Sequence, residues 1–253
     1  MKKRNQSGFT LVEIAIVLVV IGLLLGGILK GQQLINSARV RNLADQNSGV
    51  QAAYYGFVDR FRNLPGDMLC TLAVTNVGAA VTPNDCATTN VGGDANGRID
   101  TVTEAGAVWA HLSVAGFLTG TYAGITPSTA TYISGVATGQ IPPNAFQGPI
   151  LLAHTADYLQ GDIRGTITRL AYSFGGNIPV PLLRDLDQKL DDGVAGSGVM
   201  RSAAETSNGT AGVFGTITDY AIGASGEDCV TSGAPSTWFV DSSNQSCNAI
   251  FLY

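Results

Sequence analysis

The stretch Gly8-Phe9-Thr10-Leu11-Val12-Glu13 decides the architecture of this chain. It stands between three basic residues, Lys2, Lys3 and Arg4, and an apolar run that reaches Leu29. Phe9 to Leu29 is 21 residues, which as a helix covers roughly 30 Å, one hydrocarbon thickness. The basic cluster before it predicts a cytoplasmic N-terminus, with the long remainder on the other side of the membrane. Glu13 is the single carboxylate of that segment. An ionised group in lipid costs at least about 3 kcal/mol unless it finds a partner. One spanning segment offers none, so Glu13 implies a second chain and reads as an assembly device. A cleaved secretory signal has a shorter apolar core followed by a small-residue cleavage site. Here Lys30-Gly31-Gln32-Gln33 follows instead. A plain signal-anchor passes the hydropathy test but gives no reason for Glu13.

These residues resemble the processing site of type IV prepilins and of the related pseudopilins of type II secretion. The resemblance covers the first thirty residues. It implies that a membrane prepilin peptidase cuts between Gly8 and Phe9, freeing a leader from Met1 to Gly8, and that the new terminus is N-methylated at Phe9. It further implies assembly by inner-membrane machinery, as a homo-oligomer or with related pilin subunits. Methylation leaves the Phe9 amine cationic, and that cation on one subunit would neutralise Glu13 on its neighbour. Breaking a buried pair of this kind costs about 3–5 kcal/mol while the intact pair adds little, so it suits register better than affinity. Where many short-leader pilins have a helix-kinking proline, this chain has Lys30. Gly22, Gly26, Gly27 and Gly31 are the weak points instead, each lowering helix stability by about 1 kcal/mol relative to alanine.

Beyond the membrane the helix is expected to continue. Val50, Tyr54, Phe57, Phe61 and Leu64 recur at spacings of four and three, which lines one stripe of a helix. Arg39, Arg41, Asp45, Asp59, Arg60 and Arg62 lie off it. Pro65-Gly66 supplies the stop signal. A helix from Phe9 to about Asn63 would be roughly 80 Å long. The expected division is a leader at 1–8, a transmembrane segment at 9–29, the extramembrane half of the helix at 30–64 and an extracytoplasmic head at 65–253.

Composition bounds the head. The chain has 253 residues, 32 of them glycine, with 13% charged and a net charge of −5. From Leu64 onward six Lys/Arg face sixteen Asp/Glu. Direct nucleic-acid binding is not expected of such an acidic surface, because phosphate contacts need clustered Lys/Arg. Strand-like content marks Thr166 to Phe174, Phe214 to Ile222 and Ile250 to Tyr253. Helices are expected from Glu104 to about Phe117, grouping Val108, Leu112 and Ala115, and from Pro181 to about Asp191, closed by Gly193. The fold class is α+β: pilin-like, a long N-terminal membrane-spanning helix packed on a mostly antiparallel sheet.

All four cysteines, Cys70, Cys86, Cys229 and Cys247, fall on the outer side, where an oxidising compartment favours disulfides. Neighbour pairing, Cys70 with Cys86 and Cys229 with Cys247, is expected, each bridge contributing on the order of 3 kcal/mol. Three connectivities remain formally open. The C-terminal pair also resembles the disulfide-bounded loop of pilins, which in that family lies on the filament surface. Their spacing lacks the close CxxC pair of a zinc site.

One segment echoes a calcium loop: Gly93-Asp94-Ala95-Asn96-Gly97-Arg98-Ile99-Asp100, with Glu104 after it. Asp94, Asn96, Asp100 and Glu104 are the candidate ligands. The match is partial, because Arg98 stands at a ligand position, the glycine comes early and Glu104 is one residue short of the twelve-residue pattern. Asn-Gly is a turn signal in its own right. No other cofactor is expected. The second acidic cluster, Asp185, Asp187, Asp191 and Asp192 around Lys189, reads as a solvated helix face. His111 and His154 have no nucleophile motif beside them, and Gly196-Ser197-Gly198 lacks the nucleophile-elbow spacing. His111, beside Trp109 and Leu112, reads as a packing or surface residue.

The expected function is therefore non-enzymatic: a structural subunit of a type IV pilus-like filament. It would pass through the inner membrane, single-pass with its head extracytoplasmic, into a pilus or periplasmic filament. The alternatives are a pseudopilin of a type II secretion piston and an anchored extracytoplasmic binding domain.

Overall fold

The computed structural model describes residues 11–78, 93–122, 139–203, 229–231, 233–241 and 247–253. The chain divides into two compact units, Met1–Arg39 and Val40–Tyr253.

The described part of the first unit is helical. Helix α1 runs Leu11–Phe61, and its part up to Arg39 belongs here. Leu18, Leu23, Leu24, Leu25 and Ile28 are all exposed, so among the described residues nothing covers an apolar face of this stretch. It is long and apolar enough to cross a membrane. A Cβ added at Gly22, Gly26, Gly27 or Gly31 would meet nothing within 4 Å. Among the described residues no packing requires glycine at those positions.

The second unit is built on the rest of α1. Its buried residues are Val40, Leu43, Asn47, Val50, Ala53, Tyr54 and Phe57. The stripe expected from Val50 onward thus begins ten residues earlier. The same three-and-four spacing continues through Asn47, a polar residue that breaks the apolar pattern but is buried. Arg62, with φ 53°, and the Pro65-Gly66 pair turn the chain away. Gly66 has φ +89°, and a Cβ there would stand 2.8 Å from Val108 Cγ2. That close approach lets the turn seat on the next long helix.

Short helix α2 (Cys70–Asn76) was not foreshadowed by any periodicity, being too short to show one. Helix α3 spans Val102–Val114, against an expectation of Glu104 to Phe117. It starts early because Thr101 and Glu104 form a capping box, which satisfies two otherwise orphaned backbone N–H groups. It ends early at Gly116, φ +81°, and Phe117 lies instead against Gly56 of α1. Nearly all of α3 is buried, with Trp109, Val108 and Leu112 at its centre.

The sheet has four strands in the order β1-β4-β6-β5: β1 (Leu151–Thr155), β4 (Arg169–Ser173), β5 (Met200–Ser202) and β6 (Ala249–Leu252). Every pairing is antiparallel, with Tyr172 opposite Leu152 on one side and Phe251 on the other. A two-residue hairpin, β2 (Leu159–Gln160) with β3 (Ile163–Arg164), stands apart. β4 and β6 answer two of the expected strands; the third, Phe214 to Ile222, lies outside the described residues. β1 and β5 were not anticipated. Helix α4 spans Val180–Leu190, one residue earlier at each end than expected, with Pro181 in its first turn. A long N-terminal apolar helix with a four-stranded antiparallel sheet is an α+β, pilin-like architecture.

Tyr253, the last residue, ties the sheet to α1. Its hydroxyl donates to Asn47 Oδ1 at 2.9 Å and lies 3.2 Å from the Asn47 carbonyl. Gln46 Nε2 donates to the Pro143 carbonyl at 2.9 Å. Two neighbouring amides on α1 therefore fix its position on the body where apolar packing alone allows sliding.

Candidate functional site

Three places bear on function: the start of α1, the acidic loop before α3 and the disulfide-bounded C-terminal segment.

Gly8 and Phe9 lie outside the described residues. Glu13 falls in the first turn of α1 and is exposed.

The loop Gly93 to Thr101 is held by two carboxylates that replace ligand geometry with hydrogen bonds. Glu104 is 1% exposed. Its Oε1 accepts the Asp94 N–H at 3.2 Å, and its Oε2 accepts the N–H groups of Asp100 and Thr101 at 2.9 and 3.0 Å. Asp67, just after α1, accepts from Asn96 N at 3.1 Å and from Gly97 N at 2.8 Å. Asn96 directs its Nδ2 to Asp94 and Asp100, while its Oδ1 accepts from Arg98 N. Burial pushes the carboxyls of both Asp67 and Glu104 up, and the loop amides oppose that shift. His154 on β1 closes the far side: its ring Nδ1 accepts from Ile99 N at 2.9 Å, and its backbone N–H donates to the Ile99 carbonyl at 2.7 Å.

Of the four expected ligands, Asp94 and Glu104 come together, joined by Asp67, with one oxygen of each within 4.8 Å of the others. Asn96 and Asp100 contact Asp94 or one another through the Asn96 amide nitrogen, which cannot ligate a cation. Glu104 sits at the positive end of α3 and already accepts three amides. The arrangement fits a braced turn better than a calcium cage. Asp67 carried no signal in the sequence, since it lies 27 residues before Asp94.

His111 is buried on α3. Its Nδ1 accepts from Gly66 N at 3.0 Å, and its ring stacks on Phe57 of α1 at 6.0 Å. Burial pushes its pKa down to about 4. It is a packing residue, in line with expectation.

The C-terminal disulfide joins Cys229 to Cys247 with Cα atoms 5.9 Å apart. Cys70 is also disulfide-bonded; Cys86, its expected partner, lies outside the described residues. Among the described residues the Cys229–Cys247 segment is attached to the body at several points, including the bridge between Cys247 and Ile178. Gly161 N donates to the Gly196 carbonyl, Gly196 N to Ser236 and Ser236 N back to Gly161, at 2.8, 3.0 and 3.0 Å. Trp238, almost fully buried, donates its Nε1–H to Asp187 Oδ2 at 2.7 Å.

That contact corrects the reading of the second acidic cluster as a solvated helix face. Asp187 is 0% exposed, because α4 turns this position inward beneath Trp238. Asp185, half-buried and paired with Arg184 at 3.7 Å, and the exposed Asp191 and Asp192 keep the surface role. Asp191 Oδ2 accepts from Val199 N and Met200 N. Asp192 accepts from Val194 N at 2.8 Å and from Ser197 Oγ at 2.6 Å. Burial, then the neighbouring charges of Asp192 and Asp191, push Asp187 up to about 6, against the Trp238 hydrogen bond. Period-3.6 reasoning missed this because one inward Asp on a polar helix has no distinguishing spacing.

Residues 3–29 match the family model described as the prokaryotic N-terminal methylation motif. The chain thus carries the type IV prepilin signature at its N-terminus. The matched stretch runs from Lys3 through the apolar run into α1, and it supports membership of the type IV pilin and pseudopilin family. Comparison with curated proteins and with solved structures returns no match for the chain.

Proposed function

We propose that the chain is a structural subunit of a type IV pilus-like filament. The observation that carries this reading is the methylation motif at residues 3–29 running into a helix whose apolar surface is exposed among the described residues. A prepilin peptidase would cut the Gly8–Phe9 bond, removing residues 1–8, and Phe9 would be methylated. Residues 9–29 would cross the inner membrane, with Lys2, Lys3 and Arg4 cytoplasmic before the cut and the remainder from Lys30 on the outer side. The subunits would then polymerise through α1, an apolar face meeting apolar faces. Glu13 of one copy would pair with the methylated amine of the next, setting the register.

The role is structural rather than catalytic. His111 and His154 both serve as acceptors for backbone N–H groups, which is bracing work. The acidic body, with its disulfides, would face the outside of the filament.

The test is mass spectrometry of the N-terminal peptide from fibres sheared off the native host. A peptide starting at Phe9 with one added methyl is the expected result. Processed protein confined to the membrane fraction would move the assignment to a secretion pseudopilin. An intact Met1 terminus would overturn the processing reading and leave an anchored binding domain.

A further inference from the structure

The braced loop before α3 contains Asn96-Gly97, and an asparagine followed by glycine can modify itself. The glycine N, once it has lost its proton, attacks the asparagine Cγ. A new C–N bond forms, the bond from Cγ to the side-chain nitrogen breaks, and ammonia leaves. Water then opens the resulting succinimide at either carbonyl, giving aspartate or its β-linked isomer. Glycine favours the attack because no side chain shields its N. A folded chain permits it only where the side-chain carbonyl is open and the glycine N–H is free to lose its proton.

The first condition is met at Asn96. The residue is exposed. Its Oδ1 accepts the Arg98 N–H at 2.8 Å, a donor placed where negative charge would develop on that oxygen during attack. Glycine is required at 97 by its φ of +84° and not by space, since a Cβ there would meet nothing within 4 Å. The second condition is denied. Gly97 N donates to Asp67 Oδ2 at 2.8 Å, and Asp67 is 4% exposed. The carboxylate holds the proton that must leave, and its charge opposes formation of the amide anion. Its other oxygen accepts Asn96 N at 3.1 Å, and the Asp67 carbonyl accepts Ala95 N at 3.0 Å. One residue from just after α1 thus fastens the whole turn.

We propose that Asn96-Gly97 is a latent self-modification site and that Asp67 is the residue that suppresses it. Opening of the turn away from Asp67 starts the reaction, and the product prevents reclosing. Asn96 Nδ2 donates to Asp94 Oδ2 at 3.2 Å and to Asp100 Oδ2 at 3.3 Å. A carboxylate at position 96 exchanges both hydrogen bonds for like-charge contacts. The change therefore runs one way and marks chains in which the turn has opened. It depends on the fold of the body alone, not on filament assembly.

The test incubates the full chain in detergent micelles in mildly alkaline buffer, beside a synthetic peptide of residues 93–104, and follows deamidation of Asn96 by mass spectrometry. The folded chain is expected to react roughly ten- to a hundredfold more slowly than the peptide, the factor that a hydrogen bond to a charged acceptor supplies. Asp67→Asn leaves one acceptor oxygen for two N–H groups and should bring the rate toward that of the peptide. Glu104→Gln loosens the Asp94, Asp100 and Thr101 amides but not Gly97, and should react at the wild-type rate. Asn96→Asp should melt below the wild type. Equal rates in chain and peptide overturn the protection. A wild-type rate in Asp67→Asn, or equal acceleration in Glu104→Gln, removes Asp67 as its source. Should Asp67→Asn unfold, amide hydrogen exchange on the wild type decides: slow exchange at Gly97 N is expected, and fast exchange there overturns the role of Asp67. An unchanged Tm in Asn96→Asp overturns the one-way character.

Discussion

Single side chains do most of the organising in this body by accepting backbone N–H groups. Glu104 is the clearest case, with three such bonds on one buried carboxylate. Glu104→Ala should remove the cap of α3 and orphan the loop amides together. A loss of about 2–4 kcal/mol is expected, above the ~1 kcal/mol of an ordinary cap, read by denaturant unfolding. A loss no larger than that of Thr101→Ala would show that the loop finds water instead. His111 makes a pH prediction. Its folded pKa of about 4 lies below the unfolded ~6.5, so the unfolded chain binds the extra proton. Its contribution is therefore intact above pH 6.5 and drains away as pH falls toward 4. The total is on the order of 3 kcal/mol. His111→Gln should flatten that part of the stability profile relative to the wild type; parallel profiles would remove His111 as the titrating group.

At the scale of elements, the C-terminal segment is held by three kinds of bond. The disulfide closes a loop by a sequence separation of 18, which the chain-entropy estimate values at about 3 kcal/mol. The Gly161–Gly196–Ser236 backbone ring and the Trp238–Asp187 bond do not depend on it. Reduction is expected to lower Tm while Trp238 stays buried, so its emission should change little at room temperature. A large red shift on reduction alone would show that the disulfide, not the packing, holds the segment down. Element types were readable where periodicity was long: the C-terminal end of α1 and both ends of α4 came within two residues of expectation. α2, β1, β5 and the β2–β3 hairpin were not readable. They are two to seven residues long, too short to show a period, and β5 takes its partner from distant sequence, Met200 standing opposite Phe251.

For the whole molecule, the prediction concerns Glu13. Glu13→Leu should leave insertion of the helix intact, since it makes the segment more apolar, but should impair ordered assembly. Removing one member of a buried pair costs about 3–5 kcal/mol at each subunit contact. Fibre yield from cells carrying the variant, compared with membrane-fraction protein, is the measurement. Normal filament numbers would sink the pairing.

What the sequence alone determined is the N-terminal third of the argument: a run of 21 residues beginning at Phe9, one carboxylate in it, basic residues before it and an amphipathic continuation. Those signals are local, since helix period and membrane length are properties of consecutive residues. Tertiary structure decided everything that joins remote positions. It carried the α1 stripe back to Val40 through Asn47, because the Tyr253 hydroxyl, 206 residues away, satisfies that buried amide. It set Asp67 beside Glu104 and turned Asp187 inward beneath Trp238. Whether a carboxylate is solvated, capped by amides or buried beneath an indole depends on what folds over it, and sequence spacing does not encode that.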